Sequence, residues 1–290
     1  MRGLETRLCA LIYISMSASE EISQGRRFDF GRNWTSFLDT LNDGKVAAAE
    51  DALRAMLGVD DLRGKRFLDI GSGSGLMSLA AHRLGASVRS FDYDMGSVAC
   101  TRTLHDRYCD SEDDWIVEQG SILDTAFVRS LGQFDIVYSW GVLHHTGNMW
   151  GAIDNACSTV AANGQFFIAI YNDQGRKSAG WKQVKKVYCS GTTGKLAMSA
   201  LFIPYFVADG LKEDLTHLRN PLQRYSQRAR STRGMSAVHD WFDWLGGFPF
   251  EVARPEELFA FVKERGFTLE RMTTTSSLGC NELVFRRSAG

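Results

Sequence analysis

One stretch narrows the choice of fold more than any other: FLDIGSGSG, Phe67 to Gly75. A mostly apolar strand runs into a loop with glycine at 71, 73 and 75. Glycine lets a backbone turn sharply and approach a ligand, because no Cβ intervenes. Asp69 stands near the strand's end, where a carboxylate can orient the loop or a ligand's amino group. Gly75 to Leu84 then reads as a helix and Ser87 to Phe91 as a second strand, followed by Asp92. An acid about 20 residues beyond such a loop is placed to accept both hydroxyls of a ribose. A tight turn with an unrelated surface acid would not need strand, glycines, helix, strand and acid in that order. The dinucleotide fingerprint G-x-G-x-x-G wants glycine where Leu76 stands. The spacing G-x-G-x-G suits a ligand without a pyrophosphate.

The alternation continues. Trp115 to Glu118, Phe134 to Ser139 and Gln165 to Tyr171 read as further strands, with a helical segment from Gly151 to Val160 before the last. Strands alternating with helices indicate a parallel sheet covered on both faces. Such sheets bind ligands at the carboxyl ends of their strands, where the strand order reverses. Before the first strand, Phe28 to Leu57 has a helical pattern. After Tyr171 the alternation stops, and residues 172–254 carry helical and aromatic-rich stretches. It resumes with a helix at Pro255 to Arg265, which has a Pro-Glu-Glu start, and a terminal pair of strands at Thr268 to Thr273 and Asn281 to Arg287. The expected division is an N-terminal extension and helical lid over 1–60, a core over 61–171, a helical cap inserted at 172–254, and the rest of the core over 255–290.

The 290 residues suffice for one large α/β domain with an insertion, and the formal net charge of -1 offers no global basic excess to neutralise phosphates. Nucleic acid is not expected as a partner. The 6 cysteines are scattered without a CxxC pair, unlike a zinc site or a disulfide framework. Reduced cytosolic thiols and a cytoplasmic protein are the expectation. Arg2, Arg7 and the apolar run Leu8 to Met16 have the outline of a signal peptide, but the run is too short to span a membrane.

At this point the motifs resemble those of a known family. Phe67 to Gly75 resembles motif I of class I S-adenosylmethionine (SAM)-dependent methyltransferases, and Asp92 matches the acid after their second strand. Gln119-Gly120-Ser121-Ile122 resembles the turn that flanks adenine, although the family often has Asp where Ser121 stands. Phe134 to His145, FDIVYSWGVLHH, looks like the fourth strand and its following turn, while Ala162-Asn163-Gly164 matches the turn before strand five loosely. The likeness is closest to the type 11/12 and ubiquinone-biosynthesis-like branches. It implies a Rossmann-like, mostly parallel sheet with an N-terminal helical lid and a helical cap after strand five, with SAM as cofactor. Asp69, Gly71, Ser72, Gly73, Gly75, Asp92, Tyr93, Ser121, Ile122, Trp140 and Val142 would then meet the cofactor, with Phe30 and Trp34 covering it as a lid.

The acceptor side rests on fewer signals. Histidine titrates near neutrality and suits a general base. Resemblance to the LEH/LHH turn of related methyltransferases makes His145 the better candidate of the pair after strand four; packing and capping are its competing role, and that role is favoured for His144. In SAVHDWFDWLGGFPFE, Ser236 to Glu251, His239 is a candidate second base, sharing a helical face with Asp243. With Trp241 it could line an acceptor pocket, and an aromatic clamp inside the cap fits the same residues. His144, Tyr171 and Asn172 are further acceptor-side candidates. Lys177, Lys182, Lys185 and Lys186 precede the apolar stretch Leu196 to Val207, a pattern of interfacial membrane contact or of core or homodimer packing. The expected function is O-methylation of a small hydroxylated acceptor (phenol, quinol or sugar), assisted by a histidine base and without a metal. The alternatives are a tRNA or nucleotide-base methyltransferase and a non-catalytic SAM-binding protein.

Overall fold

The structure is a computed structural model that describes residues 17–39, 41–109, 114–217, 220 and 244–289. Its elements in chain order are α1 (Ala18–Ser23), α2 (Phe30–Leu38), α3 (Asp43–Leu57), β1 (Arg66–Ile70), α4 (Leu76–Arg83), β2 (Ser87–Asp92), α5 (Met95–Tyr108), β3 (Trp115–Gln119), α6 (Thr125–Leu131), β4 (Phe134–Trp140), α7 (Met149–Ser158), β5 (Val160–Tyr171), α8 (Arg176–Cys189), α9 (Thr192–Thr216), α10 (Pro255–Lys263), β6 (Phe267–Thr273) and β7 (Cys280–Arg287). A 3₁₀ turn, Leu143–His145, follows β4.

The seven strands form one sheet in the order β3-β2-β1-β4-β5-β7-β6. Strands β1 to β5 are parallel. β7 runs antiparallel between β5 and β6. The order reverses between β1 and β4, so the carboxyl ends of these two strands open the crevice where such sheets bind ligands.

Both faces of the sheet are buried, which is why its central strands read as unbroken apolar runs. Along β5, Phe166, Ile168 and Ile170 join Leu68, Val137 and Leu283 in one core, which α7 and α10 cover with Ile153, Leu258 and Val262. Phe167 and Ala169 point the other way and join Phe67, Ile136 and Tyr138 under α3 and α4. Phe67, Tyr138 and Phe167 stack across three neighbouring strands, the last two at 5.1 Å between ring centroids.

The sequence pattern was right about the strands and their order along the chain, and less exact at their ends. β5 begins at Val160, five residues before the apolar run, because it pairs with β4 at Phe134 before an irregularity. The single helical pattern of Phe28 to Leu57 is two helices. Asp29 caps α2 by accepting the Arg32 N–H, and Asn42 caps α3 by accepting the Lys45 N–H.

The region after β5 is helical as far as it is described. Of the four lysines read as one basic patch, Lys185 is completely buried, while Lys177, Lys182 and Lys186 are exposed. The apolar stretch Leu196 to Val207 divides along α9. Met198, Phe202 and Phe206 pack with Phe28, Trp181, Tyr188 and Leu245, whereas Leu196, Leu201 and Tyr205 are exposed. No helix among the described residues is long and apolar enough to cross a membrane.

Phe167 ends the row of stacked aromatics and is 1% exposed. Phe167→Ala is expected to lower unfolding stability by about 3–5 kcal/mol, read from the urea midpoint. A loss below about 1 kcal/mol would show that the core closes around the gap.

Candidate active site

The glycine loop lies at the mouth of the β1–β4 crevice. Gly71, Gly73 and Gly75 have φ of 77°, 54° and 79°, in the left-handed region that side chains other than glycine's make costly. Each is also a point of close approach. A Cβ at Gly71 would lie 2.3 Å from Val142, at Gly73 2.8 Å from the Trp34 indole, and at Gly75 2.9 Å from Thr101. Three elements therefore press on one loop: the turn after β4, the N-terminal helix α2, and α5. Ser72 Oγ pairs with Thr101 Oγ1 at 2.9 Å.

Asp92 closes the loop from the end of β2. Its Oδ2 accepts the Gly73 N–H at 3.0 Å and its Oδ1 accepts the Asp94 N–H at 2.9 Å. Burial pushes its pKa up to about 6; the two N–H bonds and the nearby Arg27 oppose that rise, and Asp94 adds to it. Asp94 in turn fastens α2. Its carboxylate accepts the Gly31 N–H of α2 at 2.7 Å and the Gly96 N–H of its own helix at 2.9 Å. The helices meet glycine to glycine, since a Cβ at Gly31 would sit 2.6 Å from the Gly96 Cα.

Asp69 points into the protein rather than along the loop. It is 2% exposed, and its Oδ2 accepts the Ser78 hydroxyl at 2.5 Å. Ser78 is 2.7 Å from Ser90, which accepts the Trp115 indole N–H at 2.8 Å. Because an indole N–H can only donate, the chain has one direction: Trp115 to Ser90 to Ser78 to Asp69. Burial pushes the Asp69 pKa up to about 7, against the Ser78 bond that lowers it, and the charge of Asp92 raises it further.

On the other side of the crevice the 3₁₀ turn after β4 presents two buried histidines. The Tyr171 N–H donates to His144 Nδ1 at 3.2 Å, which places the proton of a neutral His144 on Nε2. His145 Nδ1 lies 2.6 Å from the Pro249 carbonyl. A carbonyl only accepts, so Nδ1 carries the proton and Nε2 keeps a lone pair. Burial drives both imidazoles toward neutrality. It holds His144 well below the ordinary histidine value, and it takes His145 down to about 3, where the Pro249 bond opposes it and the cations Lys185 and Arg27 add to it. The Tyr171 ring packs 4.1 Å from His144 and 5.7 Å from His145. The Phe30 ring lies 5.2 Å from His145.

Several expected residues also have partners within the protein. Ile122 is in the core. Ser121 Oγ accepts the Leu123 N–H. Trp140 donates its indole N–H to Glu282 at 2.8 Å. Asn172, proposed for the acceptor, uses its amide on the carbonyls of Thr275 and Ser277 and accepts from Asn281, which ties β5 to the loop before β7. His239, Trp241 and Asp243 lie outside the described residues. No group of three or more His, Cys, Asp or Glu that could hold a metal is gathered among the described residues.

Two residues at the site carried no sequence signal. Arg27 binds Glu21 at 2.5 Å, donates to the His145 carbonyl at 3.0 Å and lies over the Tyr93 ring at 4.8 Å. Lys185 looked like one more surface base. Nothing local in the sequence shows that either charge is turned inward.

Comparison with known proteins follows the same lines. A protein-family model described as "Methyltransferase domain" matches residues 43–228. The ubiquinone biosynthesis O-methyltransferase of Xanthomonas oryzae pv. oryzae is 32% identical over 112 residues, which are 39% of this chain and 45% of that protein. The protein of the same name from Methylobacterium sp. is 29% identical over 140 residues, 47% of this chain and 54% of that one. The chain thus spans about half the length of these curated relatives. Among solved structures, magnesium protoporphyrin IX methyltransferase from Synechocystis PCC 6803, with bound SAH, is similar with a TM-score of 0.51 at 14% identity, covering 84% of each chain. That likeness is one of fold.

The raised pKa of Asp69 has a consequence for stability. Between the unfolded value near 4 and the folded value of about 7, the unfolded chain releases this proton more readily than the folded one. Stability from this group is complete below that window and is lost as pH rises through it. Urea unfolding should therefore lose on the order of 2 kcal/mol more between pH 5 and pH 8 in the native protein than in Asp69→Asn. Parallel pH profiles for the two proteins would show that Asp69 ionises in the folded state as it does in water.

Proposed function

The chain belongs to the methyltransferase-domain family, whose cofactor is S-adenosylmethionine, and we propose that it methylates an oxygen of a small hydroxylated acceptor such as a phenol, quinol or sugar. The observation that carries the reading is the junction of Gly73 and Asp92 at the β1–β4 crevice. A loop without Cβ atoms lets a ligand lie against the backbone, and the adjacent carboxylate suits a ribose diol. The names of the curated relatives support oxygen as the methylated atom.

In this reading Gly71 to Gly75 cradle the cofactor's amino acid and ribose portions, Asp92 receives the ribose hydroxyls, and Ser121 and Ile122 flank the adenine. Phe30 and Trp34 close over it, with α2 held down by Asp94. When bound, the cofactor would supply an electrophilic sulfonium methyl for transfer to the acceptor oxygen, the carbon–sulfur bonding pair staying with sulfur. His145 faces the acceptor with Nε2, a lone pair that the Pro249 carbonyl reserves by holding the proton on Nδ1. Nε2 takes the hydroxyl proton as the oxygen gains its methyl. Tyr171 and the aromatic wall around it exclude water from that transfer.

The first experiment is calorimetric titration with SAM and with NAD, followed by a methyl-transfer screen over phenols, quinols and sugars. SAM should bind and NAD should not; folded protein that fails to bind SAM overturns the reading. Asp92→Ala is expected to weaken SAM at least about tenfold, and unchanged affinity would remove Asp92 from the cofactor site. His145→Ala is expected to slow turnover about a hundredfold while leaving SAM affinity as it was. Full activity in that variant would leave His145 a packing residue.

A further inference from the structure

Arg27 is assigned to neither ligand, yet it touches both halves of the site. It lies between α1 and α2, and its side chain is 11% exposed. A guanidinium cannot shed its charge, so burial obliges it to find acceptors. Its Nε pairs at 2.5 Å with the carboxylate of Glu21, itself 2% exposed. Its Nη1 donates to the His145 carbonyl at 3.0 Å. The planar group lies 4.8 Å over the ring of Tyr93, the residue after Asp92. Its charge reaches both sides of the crevice, where it favours the ionised form of Asp92 and opposes a proton on His145.

The His145 contact meets a need of the 3₁₀ turn. The last carbonyls of a helical turn have no donor within it and are completed from outside, with a cation favoured at that end. Two separate segments complete them here. Glu251 donates its N–H to the His144 carbonyl at 2.9 Å, and Arg27 donates to the His145 carbonyl. The Pro249 carbonyl then holds the His145 ring through Nδ1. The direction in which Nε2 faces depends on the set of that turn.

The segment that carries Arg27 crosses the crevice. On the acceptor side, a Cβ at Gly25 would collide with the Cys189 carbonyl at the end of α8, and the Phe28 N–H donates to the Phe248 carbonyl at 3.0 Å. On the cofactor side, the Gly31 N–H donates to Asp94 at 2.7 Å, and the Trp34 indole lies against Gly73. Gly31 and Trp34 are one turn apart on the same helix, whose first residue is Phe30. A hydrogen-bonded helix moves as a unit, so lifting Trp34 off the glycine loop also draws on Phe28 and Arg27.

We propose that Arg27 is a positioning residue that couples the two halves of the site: the segment 25–34 closes over the cofactor, and in closing it delivers the guanidinium that sets the His145 turn for the acceptor. The inference rests on the methyltransferase reading and adds an order to it. With the segment down, the acceptor side is complete. With it raised, the His145 carbonyl loses the Arg27 donor. The cofactor therefore binds before the acceptor and leaves after the methylated product. Arg27 takes no proton itself and acts through the backbone of His145.

The test reads amide exchange by mass spectrometry in the full chain, with and without saturating S-adenosylhomocysteine. The reporter is the peptide 247–253, whose Glu251 amide bonds the His144 carbonyl and whose Pro249 carbonyl holds the His145 ring. The quantity read is the ratio of its exchange rates without and with the ligand. A turn that is merely destabilised exchanges faster in both states and keeps its ratio. In the native protein S-adenosylhomocysteine should slow this peptide at least about fivefold. In Arg27→Met that slowing should vanish, while the peptide over Gly71 to Gly75 remains protected. Arg27→Lys keeps a cation without the planar fork and should restore part of the effect. No slowing in the native protein overturns the coupling without any substitution having to fold, and so does slowing that persists undiminished in Arg27→Met. Folded native protein that does not bind S-adenosylhomocysteine overturns the methyltransferase reading instead, and the coupling with it.

Discussion

A side chain at Gly71, Gly73 or Gly75 would collide with Val142, the Trp34 indole or Thr101, and the rest of the site is arranged around that constraint. Because these three positions have no Cβ, the turn after β4, α2 and α5 can all reach the loop's backbone. The loop is pinned from below as well, where Gly71 and Ser72 donate to the Phe91 carbonyl and Gly73 donates to Asp92. The result is a rigid floor at the one place where the sheet order reverses. A loop built this way lets a ligand lie directly against the backbone, without side chains that must first be moved aside.

Helix α2 is coupled to that floor by polar contacts as well as by packing. Asp94 accepts N–H groups from two helix starts, α2 and α5, while its own N–H goes to Asp92. A carboxylate at the N-terminal end of a helix is favoured by the unsatisfied N–H groups and by the helix dipole. One acid therefore docks α2, starts α5 and orients the neighbouring acid. Arg27 continues the connection across the crevice, from the Tyr93 ring beside Asp92 to the carbonyl of His145. The crevice is polarised: the carboxylates Asp69 and Asp92 lie on the β1–β2 side, and the cations Arg27 and Lys185 act on the histidines of the β4–β5 side.

Burial sets the proton positions in this arrangement more than pairing does. Desolvation is the largest influence on Asp69, Asp92, His144 and His145 alike, and it favours the neutral form of every one. The hydrogen bonds then choose which atom carries the proton. The Pro249 carbonyl holds it on Nδ1 of His145, and the Tyr171 N–H holds it on Nε2 of His144. Two adjacent histidines thus present opposite tautomers, one with an acceptor nitrogen to offer and one with a donor.

Much of the cofactor half was legible in the chain. The run Phe67 to Gly75, the acid at 92 and the alternation of strands and helices determined a parallel sheet, its loop and the ligand edge, because those features depend on local backbone conformation and on the apolar runs of strands buried on both faces. The terminal strand pair was also visible, but the sequence could not show that β7 slips in between β5 and β6, since that depends on Phe285 and Leu283 meeting Phe166 and Ile168 across the sheet. The acceptor half was less legible for the same kind of reason. Lys185 is spaced like a solvated base and Arg27 stands in a basic run, yet tertiary packing turns one into an aromatic chamber and the other against a carboxylate and a carbonyl. Asn172, at a strand end that suits a ligand contact, is consumed by the loop before β7. Local sequence determines how a segment bends and which face is apolar. Only the assembled fold decides which charges lose their water, and with that loss come the protonation states on which the chemistry of this site depends.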